Sequence, residues 1–379
     1  MSRVSLYGCD EYTLEKLTPR LERIIDNLGG LDALFAKGKK VVIKPNLVMK
    51  KNPEAAATTH PAVMEALINI LKKYTDDITI AECPGGPYSK ERMSAIFNVT
   101  GMAGVAQRTG AKLYLDCEQV TVPSHHGKVT KNITALKPFC DADVFINVSK
   151  IKSHGLTVYT GVAKNLYGLI PGLEKAQIHA RFPEKDDFAD FICDLNTTFP
   201  PDLSILDGIT AMEGNGPTGG DPRFVGVLIG SKSTYSADLA GCTVCGFDYR
   251  EIPLFKRAIT HGICPDGLKN TELVGDDIEK FVVKDFKKPD SHSGGLVKLI
   301  TEISSPSVRN LLRSKPKVNK KKCVGCGECV KCCPQSTIEI KDKKAVINNK
   351  NCIFCYCCQE LCPMKAVDLK RFFIFDLIK

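Results

Sequence analysis

The sequence lacks any apolar run long enough to cross a membrane, and we expect no leader of the secretory type. None of its hydrophobic stretches approaches the roughly 20 residues that a spanning helix needs. The first residues, Met-Ser-Arg-Val-Ser-Leu-Tyr, enter a strand pattern directly, without the features of a signal or transit peptide. We therefore expect no membrane span, and a cytoplasmic location in which thiols stay reduced.

Fingerprints for nucleotide cofactors are also missing. The glycine pair Gly85-Gly86 has neither the P-loop lysine nor the full G-x-G-x-x-G pattern. No flavin or nicotinamide fingerprint is readable elsewhere. The sequence leaves open whether a further organic cofactor binds.

Cysteine, in contrast, is abundant and concentrated. Ten of the 18 cysteines lie between Cys323 and Cys362, and eight of them form two copies of the spacing C-x2-C-x2-C-x3-C-P. This is the bacterial ferredoxin spacing, in which three cysteines of one run and the fourth of the other hold each [4Fe-4S] cluster. We therefore predict two clusters, one held by Cys323, Cys326, Cys329 and Cys362, the other by Cys352, Cys355, Cys358 and Cys333.

A disulfide framework and a zinc site both fit the cysteine pattern less well. Disulfides need an oxidising compartment, and no secretory signal is present. Zinc sites typically use paired C-x2-C knuckles instead of four cysteines in one run. Cys332 and Cys357 fall outside the spacing and are interpreted as spare thiols.

The positive charge is concentrated in the same part of the chain. The net charge is +9, and the residues from Lys315 onward contain 14 Lys and Arg against 6 Asp and Glu. Lysines that offset the negative charge of clusters account for this better than nucleic-acid binding, because no recognition motif or Arg-aromatic interleaving accompanies them. We expect no nucleic-acid partner.

Upstream of the cysteines, short apolar strands alternate with amphipathic helices. Strands are predicted at Val4–Tyr7, Val41–Lys44, Ile78–Glu82, Lys112–Leu115, Val144–Val148, Leu203–Leu206 and Phe224–Ile229. Helices are predicted at Leu14–Leu28, Pro61–Tyr74 and Phe188–Thr198. This rhythm predicts an α/β domain with a mostly parallel sheet and flanking helices, over residues 1–287. A linker with short helices (288–314) and a small α+β ferredoxin-like domain (315–379) complete the predicted organisation.

Ligands of open α/β sheets bind at the carboxyl ends of the strands, and several polar residues follow predicted strands here. Together these residues could bind a carboxylate or a phosphate. The candidates for this anion site are Lys44, Asn46, Lys150, Lys152, Lys164 and Asn165. Alternatively, these lysines are isolated, solvated charges. His154, Lys152 and Glu213 are candidate catalytic residues, although a structural histidine and a turn-capping carboxylate account for His154 and Glu213 about as well. Cys242 and Cys245 lie in an apolar helix-like run and are interpreted as buried thiols.

These loops resemble the family called domain of unknown function 362, over roughly residues 1–285. The resemblance rests on Lys44-Pro-Asn-Leu, Thr59-His-Pro61, Asn147-Val-Ser-Lys-Ile-Lys-Ser-His154, Lys164-Asn-Leu-Tyr-Gly168 and Asp207-Gly-Ile-Thr-Ala-Met-Glu-Gly-Asn-Gly-Pro217. It implies a ferredoxin module at one end and an oxygen-sensitive cytoplasmic protein of the kind frequent in anaerobes. It implies no particular reaction.

The sequence favours an iron–sulfur oxidoreductase that passes low-potential electrons to an anionic substrate or cofactor in the α/β domain. A ferredoxin or flavodoxin type of redox protein is the expected partner. The alternative is a non-enzymatic electron carrier or a maturation factor. The sequence identifies neither the substrate nor the direction of electron flow.

Overall fold

A computed structural model gives the structure of the chain at residues 2–290 and 314–370. Most of the first range folds around one mixed, mostly parallel sheet. Its strands, in spatial order, are β11 (Thr271–Gly275), β1 (Ser2–Gly8), β10 (Asp221–Ser231), β9 (Leu203–Glu213), β7 (Val144–His154), β2 (Val41–Pro45), β3 (Ile78–Ile80) and β4 (Lys112–Leu113), with β8 (Val158–Thr160) paired to β7. A separate hairpin consists of β5 (Gln119–Pro123) and β6 (Asn132–Leu136).

Helices cover both faces of this sheet. They are α1 (Leu14–Asn27), α2 (Gly30–Leu34), α3 (Pro61–Leu71), α4 (Lys90–Val99), α5 (Met102–Thr109), α6 (Pro138–Asp141), α7 (Val162–Asn165), α8 (Gly172–Arg181), α9 (Lys185–Thr198), α10 (Thr234–Val244) and α11 (Pro253–Thr260). Short 3₁₀ turns lie at Phe35–Lys37, Pro53–Ala55, Leu166–Leu169, Tyr249–Glu251 and Ile278–Phe281. The predicted α/β class with flanking helices is confirmed.

The two-sided burial of the sheet follows from its sequence. In β2, Val42 packs into one hydrophobic cluster, and Val41 and Ile43 pack into the other. Successive side chains of a strand point to opposite faces, so a continuous apolar run produces a strand covered on both sides. Helix α1 contributes to the second cluster through Leu17 and Leu21, and Thr13 caps its first turn.

The strands β7 and β9 are longer than predicted. The sequence becomes polar after Val148, which favoured a loop, yet β7 continues to His154. Its backbone stays paired because β2 and β9 flank it and β8 pairs with its last residues. Lys150 and Lys152 therefore lie on a buried strand, with a register shift between them, and not on a loop.

The second described range forms a small domain of two antiparallel strand pairs and two short helices. Its elements are β12 (Lys315–Val318), α12 (Glu328–Lys331), β13 (Ile338–Lys341), β14 (Lys344–Ile347), α13 (Cys357–Glu360) and β15 (Val367–Lys370). The predicted short helices of the linker at residues 291–313 and the apolar terminus at 371–379 lie outside the described residues. Across the described ranges, no helix is both long and apolar enough to cross a membrane.

A fragment that ends at Asp290 is expected to fold without iron. Phe286 packs in the main core, and Asp290 and Asn215 are joined by two hydrogen bonds of 2.7 and 2.9 Å, so the α/β unit is closed at this point. Circular dichroism of the iron-free fragment should show native-like secondary structure and a cooperative thermal transition. A non-cooperative or aggregated fragment would mean that the two domains share a core and that the predicted boundary is misplaced.

Candidate functional site

The eight motif cysteines surround two separate cavities in the small domain. The first cavity is lined by Cys323, Cys326, Cys329 and Cys362. The second is lined by Cys333, Cys352, Cys355 and Cys358, together with Cys357. Each cavity therefore combines three cysteines of one run with the fourth of the other, which is the grouping that the sequence predicts.

Backbone N–H groups point at sulfur atoms in both cavities. Ala345 N lies 3.4 Å from Cys323 Sγ, and Ala366 N lies 3.2 Å from Cys362 Sγ. In the second cavity, backbone N–H groups lie 3.4 Å from the sulfurs of Cys333 and Cys352. Such donors stabilise thiolates and tune iron–sulfur clusters.

The geometry fits a cluster better than a single metal ion. Among residues 2–290 and 314–370, no group of three or more His, Cys, Asp or Glu side chains could hold one ion. The thiols surround a space, as the ligands of a multi-iron group do. The assignment of individual cysteines as cluster ligands stays a prediction.

A third cavity, of about 110 Å³, lies between the two domains, and we call it the interdomain cavity. The α/β domain lines it with residues from the carboxyl ends of β2, β3 and β7 and from α7 and α8, and the small domain lines it with α13 and the end of α12. Its polar, cysteine and aromatic lining consists of Asn46, Glu82, Cys83, Lys152, His154, Thr160, Lys164, Asn165, Tyr167, Lys175, His179, Lys331, Cys332, Cys357 and Glu360. Cys357 also lines the second cysteine cavity, so the two spaces adjoin.

Several contacts close the domains around this cavity. Arg92 of α4 pairs with Glu328 of α12 at 3.2 Å. Thr218 Oγ1 donates to the backbone oxygen of Glu360 at 2.7 Å, and Lys365 Nζ donates to the backbone oxygen of Gly220 at 3.2 Å. Because these contacts come from separate segments on both sides, α13 is held directly over the carboxyl end of the sheet.

His154 is buried and presents one ring nitrogen to the small domain. Its Nδ1 accepts from the backbone N–H groups of Leu156 (3.0 Å) and Thr157 (3.4 Å), so the proton of the neutral ring resides on Nε2. Nε2 lies 3.3 Å from Glu360 Oε1 but makes no well-aligned hydrogen bond. Burial, reinforced by nearby Lys164, keeps the pKa of His154 well below its usual range.

Lys152 is held by neutral oxygen atoms. Its Nζ donates to Asn46 Oδ1 (2.6 Å) and to the backbone oxygen of Ala57 (2.9 Å). Burial lowers the pKa of Lys152 to about 7, and the positive charges of Lys164 and Lys150 act in the same direction. The ammonium form of Lys152 is therefore easily lost near neutral pH.

Lys164 reaches the cavity from α7 and has no hydrogen-bond or ion-pair partner among the described side chains and backbone. Its Nζ lies 5.8 Å from the centre of the Tyr167 ring. Asp238 fixes the helix that carries it, because the Asp238 carboxylate accepts from Val162 N (2.6 Å) and Ala163 N (2.8 Å). Burial raises the pKa of Asp238 to about 7, while these two backbone donors oppose the shift.

Two of the predicted anion-binding lysines are already neutralised. Lys44 Nζ lies 2.6 Å from Glu82 Oε2, and both side chains are buried. Gly168 packs on this pair, and a Cβ there would collide with Glu82 Oε1 and Lys44 Nζ, so a larger residue would have to displace the ion pair. Lys150 Nζ lies 2.7 Å from Asp207 Oδ2 and 2.8 Å from the Tyr12 hydroxyl. Of the four lysines in the predicted anion-binding set, Lys44 and Lys150 are thus paired with buried carboxylates, and Lys152 and Lys164 are not.

Glu213 does not line the interdomain cavity. Its Oε2 accepts from the backbone N–H of Lys287 at 3.0 Å, and its Oε1 lies 3.4 Å from Lys287 Nζ. This contact ties the end of β9 to the end of the α/β domain, so the turn-capping interpretation of Glu213 fits better than the catalytic one. Cys242 and Cys245 are buried in the main core, and burial raises the pKa of both thiols.

The structure adds cavity residues that the sequence reasoning missed. Tyr167, Lys175 and His179 come from the turn after α7 and from α8, a helix that begins at Pro171-Gly172 and gave no clear sequence signal. Tyr167 donates to the backbone oxygen of Lys175 at 2.8 Å, and His179 stacks on Phe188 at 4.6 Å. Burial lowers the pKa of His179 to about 3, so this ring is neutral.

Comparison with known proteins matches both parts of the chain. The description "Domain of unknown function (DUF362)" matches residues 41–243, and "4Fe-4S dicluster domain" matches residues 315–363. The thylakoid-associated protein sll1697 of Synechocystis sp. is 30% identical over 295 residues, which cover 76% of this chain and 88% of that protein.

Two solved structures resemble the chain only distantly. The lactate racemase apoprotein of Thermoanaerobacterium thermosaccharolyticum is 14% identical with a TM-score of 0.38, over 81% of this chain and 91% of that one. A Thermotoga maritima protein is 14% identical with a TM-score of 0.37, over 62% of this chain and 59% of that one, so the match spans less than two thirds of its length. Neither likeness is close enough to indicate an activity.

The family match covers more than half of the chain, and the Synechocystis relative is 30% identical over most of both proteins. The chain belongs to the family of domain of unknown function 362 and carries a 4Fe-4S dicluster domain, the mark of an iron–sulfur electron-transfer protein, at residues 315–363.

Proposed function

We propose that this protein is an oxidoreductase in which the ferredoxin-type domain delivers low-potential electrons to a small anionic molecule in the interdomain cavity. One observation carries the proposal. The cavity is lined at once by cationic side chains of the α/β domain and by Cys357, which also lines the second cysteine cavity. A molecule bound there would lie beside a redox group.

Two [4Fe-4S] clusters are part of this proposal. The first would be held by Cys323, Cys326, Cys329 and Cys362, and the second by Cys333, Cys352, Cys355 and Cys358. Bound clusters supply one-electron transfer at potentials set by their hydrogen bonds and solvent exposure. The chain's contribution is to separate the two sites and to place the second beside the interdomain cavity.

The cavity favours a small anion. Lys152, Lys164 and Lys175 line it without a carboxylate partner, and Lys331 also lines it but is paired with Glu328. Of its two carboxylates, Glu82 is already paired with Lys44. Its volume of about 110 Å³ is below the roughly 300–1,000 Å³ of sites for drug-sized ligands. A short carboxylate fits these limits better than a flavin or a nicotinamide does.

Two groups are placed to donate to such a ligand. Lys164 Nζ has a free donor set among the described residues, and His154 carries its proton on the Nε2 side that faces α13. We assign Lys164 to holding the anionic group and His154 to donating a hydrogen bond to the atom that gains charge. Lys152 Nζ donates to Asn46 Oδ1, and Asn46 Nδ2 donates to Asn165 Oδ1, so these bonds tie β7, which carries His154, to α7, which carries Lys164.

The test is rapid mixing of dithionite-reduced protein with short 2-oxo and 2-enoic acids. Reduction of either class takes up two electrons and two protons per molecule. At least one acid should restore the oxidised visible spectrum, and Lys164→Gln should slow this about tenfold or more, since a hydrogen bond to a charged group contributes about 1.5–3 kcal/mol.

Lys269→Gln, at an exposed position of the α/β domain, serves as the control and should match the wild type. If every acid reacts equally with all three proteins, or with none, the oxidoreductase proposal fails. Transfer that occurs only to a partner protein would favour the alternative, an electron carrier or accessory factor.

Anion binding is further expected to take up a proton through Lys152. The pKa of Lys152 is lowered to about 7, and a neighbouring negative charge would raise it again. Above pH 7 the free protein holds Lys152 mainly neutral and the complex holds it charged, so affinity for acetate should fall as pH rises. Calorimetry of acetate binding in two buffers of different ionisation enthalpy measures the uptake, and Lys152→Met should remove it. Binding without proton uptake in the wild type would contradict this role.

We also propose a cytoplasmic setting, which suits reduced thiols and oxygen-sensitive clusters. The Synechocystis relative is named as thylakoid-associated. Fractionation of native cells would distinguish a free protein from one held on a membrane surface.

A further inference from the structure

We propose that the exposed surface over the first cysteine cavity is a docking face for an acidic one-electron carrier protein. This inference rests on the proposed function, because it names the surface and the charge of the electron-donating partner. The docking face consists of an apolar centre, Val324, Ile340 and Met364, and a basic rim, Lys320, Lys321, Lys322, Lys343 and Lys344.

The apolar centre is unusual for its exposure. Val324 is 57% exposed, Ile340 40% and Met364 46%, and all three line the first cysteine cavity. Cys326, a member of that cavity, is itself exposed. Exposed apolar residues gathered at one place typically mark an interaction site, whereas single ones are common on any surface. Here they lie where a redox group would come closest to solvent.

The basic rim makes the face selective. Lys320, Lys321 and Lys322 immediately precede Cys323, are exposed, and form no ion pair with any residue of the described ranges. Their turn is fixed by Asn319, whose backbone oxygen accepts from the N–H groups of Lys322 (3.1 Å) and Cys323 (3.0 Å).

On the other side of the cavity, Lys344 Nζ donates to the backbone oxygen of Cys323 at 2.5 Å, and exposed Lys343 packs its backbone against Gly325. Glu339 is already paired with Lys341, so Asp342 is the uncompensated acidic residue of this hairpin. Five lysines around an apolar centre attract an acidic surface and raise its rate of encounter at low salt.

The second cysteine cavity faces a different environment. Cys357 joins it to the interdomain cavity, and Tyr356, which lines it, packs into the core of the α/β domain. The small domain therefore has one cysteine cavity beneath a basic, solvent-exposed face and another beside the site for the small anion. This arrangement assigns the outer face to the partner protein and the inner one to the substrate.

Binding of an acidic plant-type [2Fe-2S] ferredoxin tests the docking face without requiring turnover. Isothermal titration of the oxidised ferredoxin into the oxidised full-length protein should give an affinity that weakens with added salt. Lys320→Glu, Lys321→Glu and Lys322→Glu combined should weaken it about tenfold or more at low salt, since rim charges control association.

The matched control combines Lys256→Glu, Lys269→Glu and Lys280→Glu, which change the net charge equally at exposed positions of the α/β domain. This control should bind within about twofold of the wild type. Iron content and the visible spectrum should be the same in all three proteins. Val324→Ser should weaken binding while leaving its salt dependence intact, because it alters only the apolar centre.

Equal binding by the two charge-reversed proteins would overturn the proposal. A second result would also overturn it: the Lys320–322 protein binds ferredoxin as the wild type does but no longer sediments with phosphatidylglycerol vesicles. The face would then be a membrane contact. Failure of the cavity proposal is distinguishable: the Lys320–322 protein retains its Lys164-dependent reaction with small acids whether or not the docking face is correct.

Discussion

Replacement of Cys333 by serine should disturb the iron held by the second cysteine run and leave the first run's iron in place. Cys333 belongs to the first run in sequence, yet it lines the cavity of Cys352, Cys355 and Cys358. Thr337 N points at its sulfur, as expected for a thiolate ligand. The wild type should contain about eight iron and eight sulfide per chain, from two cubanes. The variant should lose up to half of both.

The neighbouring Cys332 provides the matched control. It is adjacent in sequence but lines the interdomain cavity, and its Sγ lies 3.4 Å from the backbone oxygen of Cys329. Cys332→Ser should therefore retain all iron and sulfide. Iron analysis should be combined with Mössbauer or EPR spectra of cluster-specific signals, which Cys355→Ser and Cys326→Ser would assign. If Cys333→Ser instead removes the signal that Cys326→Ser removes, the crossed ligation is wrong.

Lys150→Met is expected to destabilise the α/β domain by about 3–5 kcal/mol, because it leaves the buried carboxylate of Asp207 without its partner. Asp207 also accepts from the Tyr12 hydroxyl (2.8 Å) and from His60 N (3.1 Å), and Tyr12 stacks on His60 at 3.7 Å. Loss of the lysine therefore disturbs the junction of β7, β9 and α3. Urea unfolding of the full-length protein, followed by circular dichroism, measures the change.

Adding Asp207→Asn to Lys150→Met should recover at least half of the lost stability. The amide keeps hydrogen-bonding atoms at this position but removes the unpaired charge. A single variant as stable as the wild type would show that the Lys150 charge is not needed at this position. It would also restore Lys150 as a candidate for anion binding, which its buried pairing with Asp207 argues against.

The α/β core could be predicted from the sequence because its strands are apolar on both faces and its first helix has a regular apolar stripe. Val41–Lys44 and Leu14–Leu28 were placed to within a residue of β2 and α1. The predicted ends of β7 and β9 were wrong, because Lys150 and Asp207 are polar in sequence but neutralise each other inside the sheet. A charged residue that suggests a loop in the local sequence can therefore lie in a buried strand when a residue distant in sequence neutralises its charge.

The two cysteine cavities could be predicted from the sequence, and the interdomain cavity could not. Motif spacing grouped the cysteines as the two cavities do, since that information is local. The interdomain cavity was not predictable, because it needs α13 to lie over the end of β7: His154 and Glu360 are 206 residues apart in the chain and 3.3 Å apart in space. The polar residues at strand ends indicated the wall that the α/β domain forms. Nothing in the sequence indicated the wall that the small domain forms.

Potentiometric titration followed by EPR, with and without saturating acetate, tests most directly whether the anion site adjoins one cluster alone. The titration is done below pH 7, where Lys152 is already charged in the free protein and acetate brings no proton with it. Negative charge held beside a cluster disfavours its reduction, so acetate should lower one midpoint potential, that of the cluster lost in Cys355→Ser. The other midpoint should not move, and Lys164→Gln should abolish the shift. If acetate leaves both potentials of the wild type unchanged, or lowers both equally, the interdomain cavity is not the site at which this protein delivers electrons.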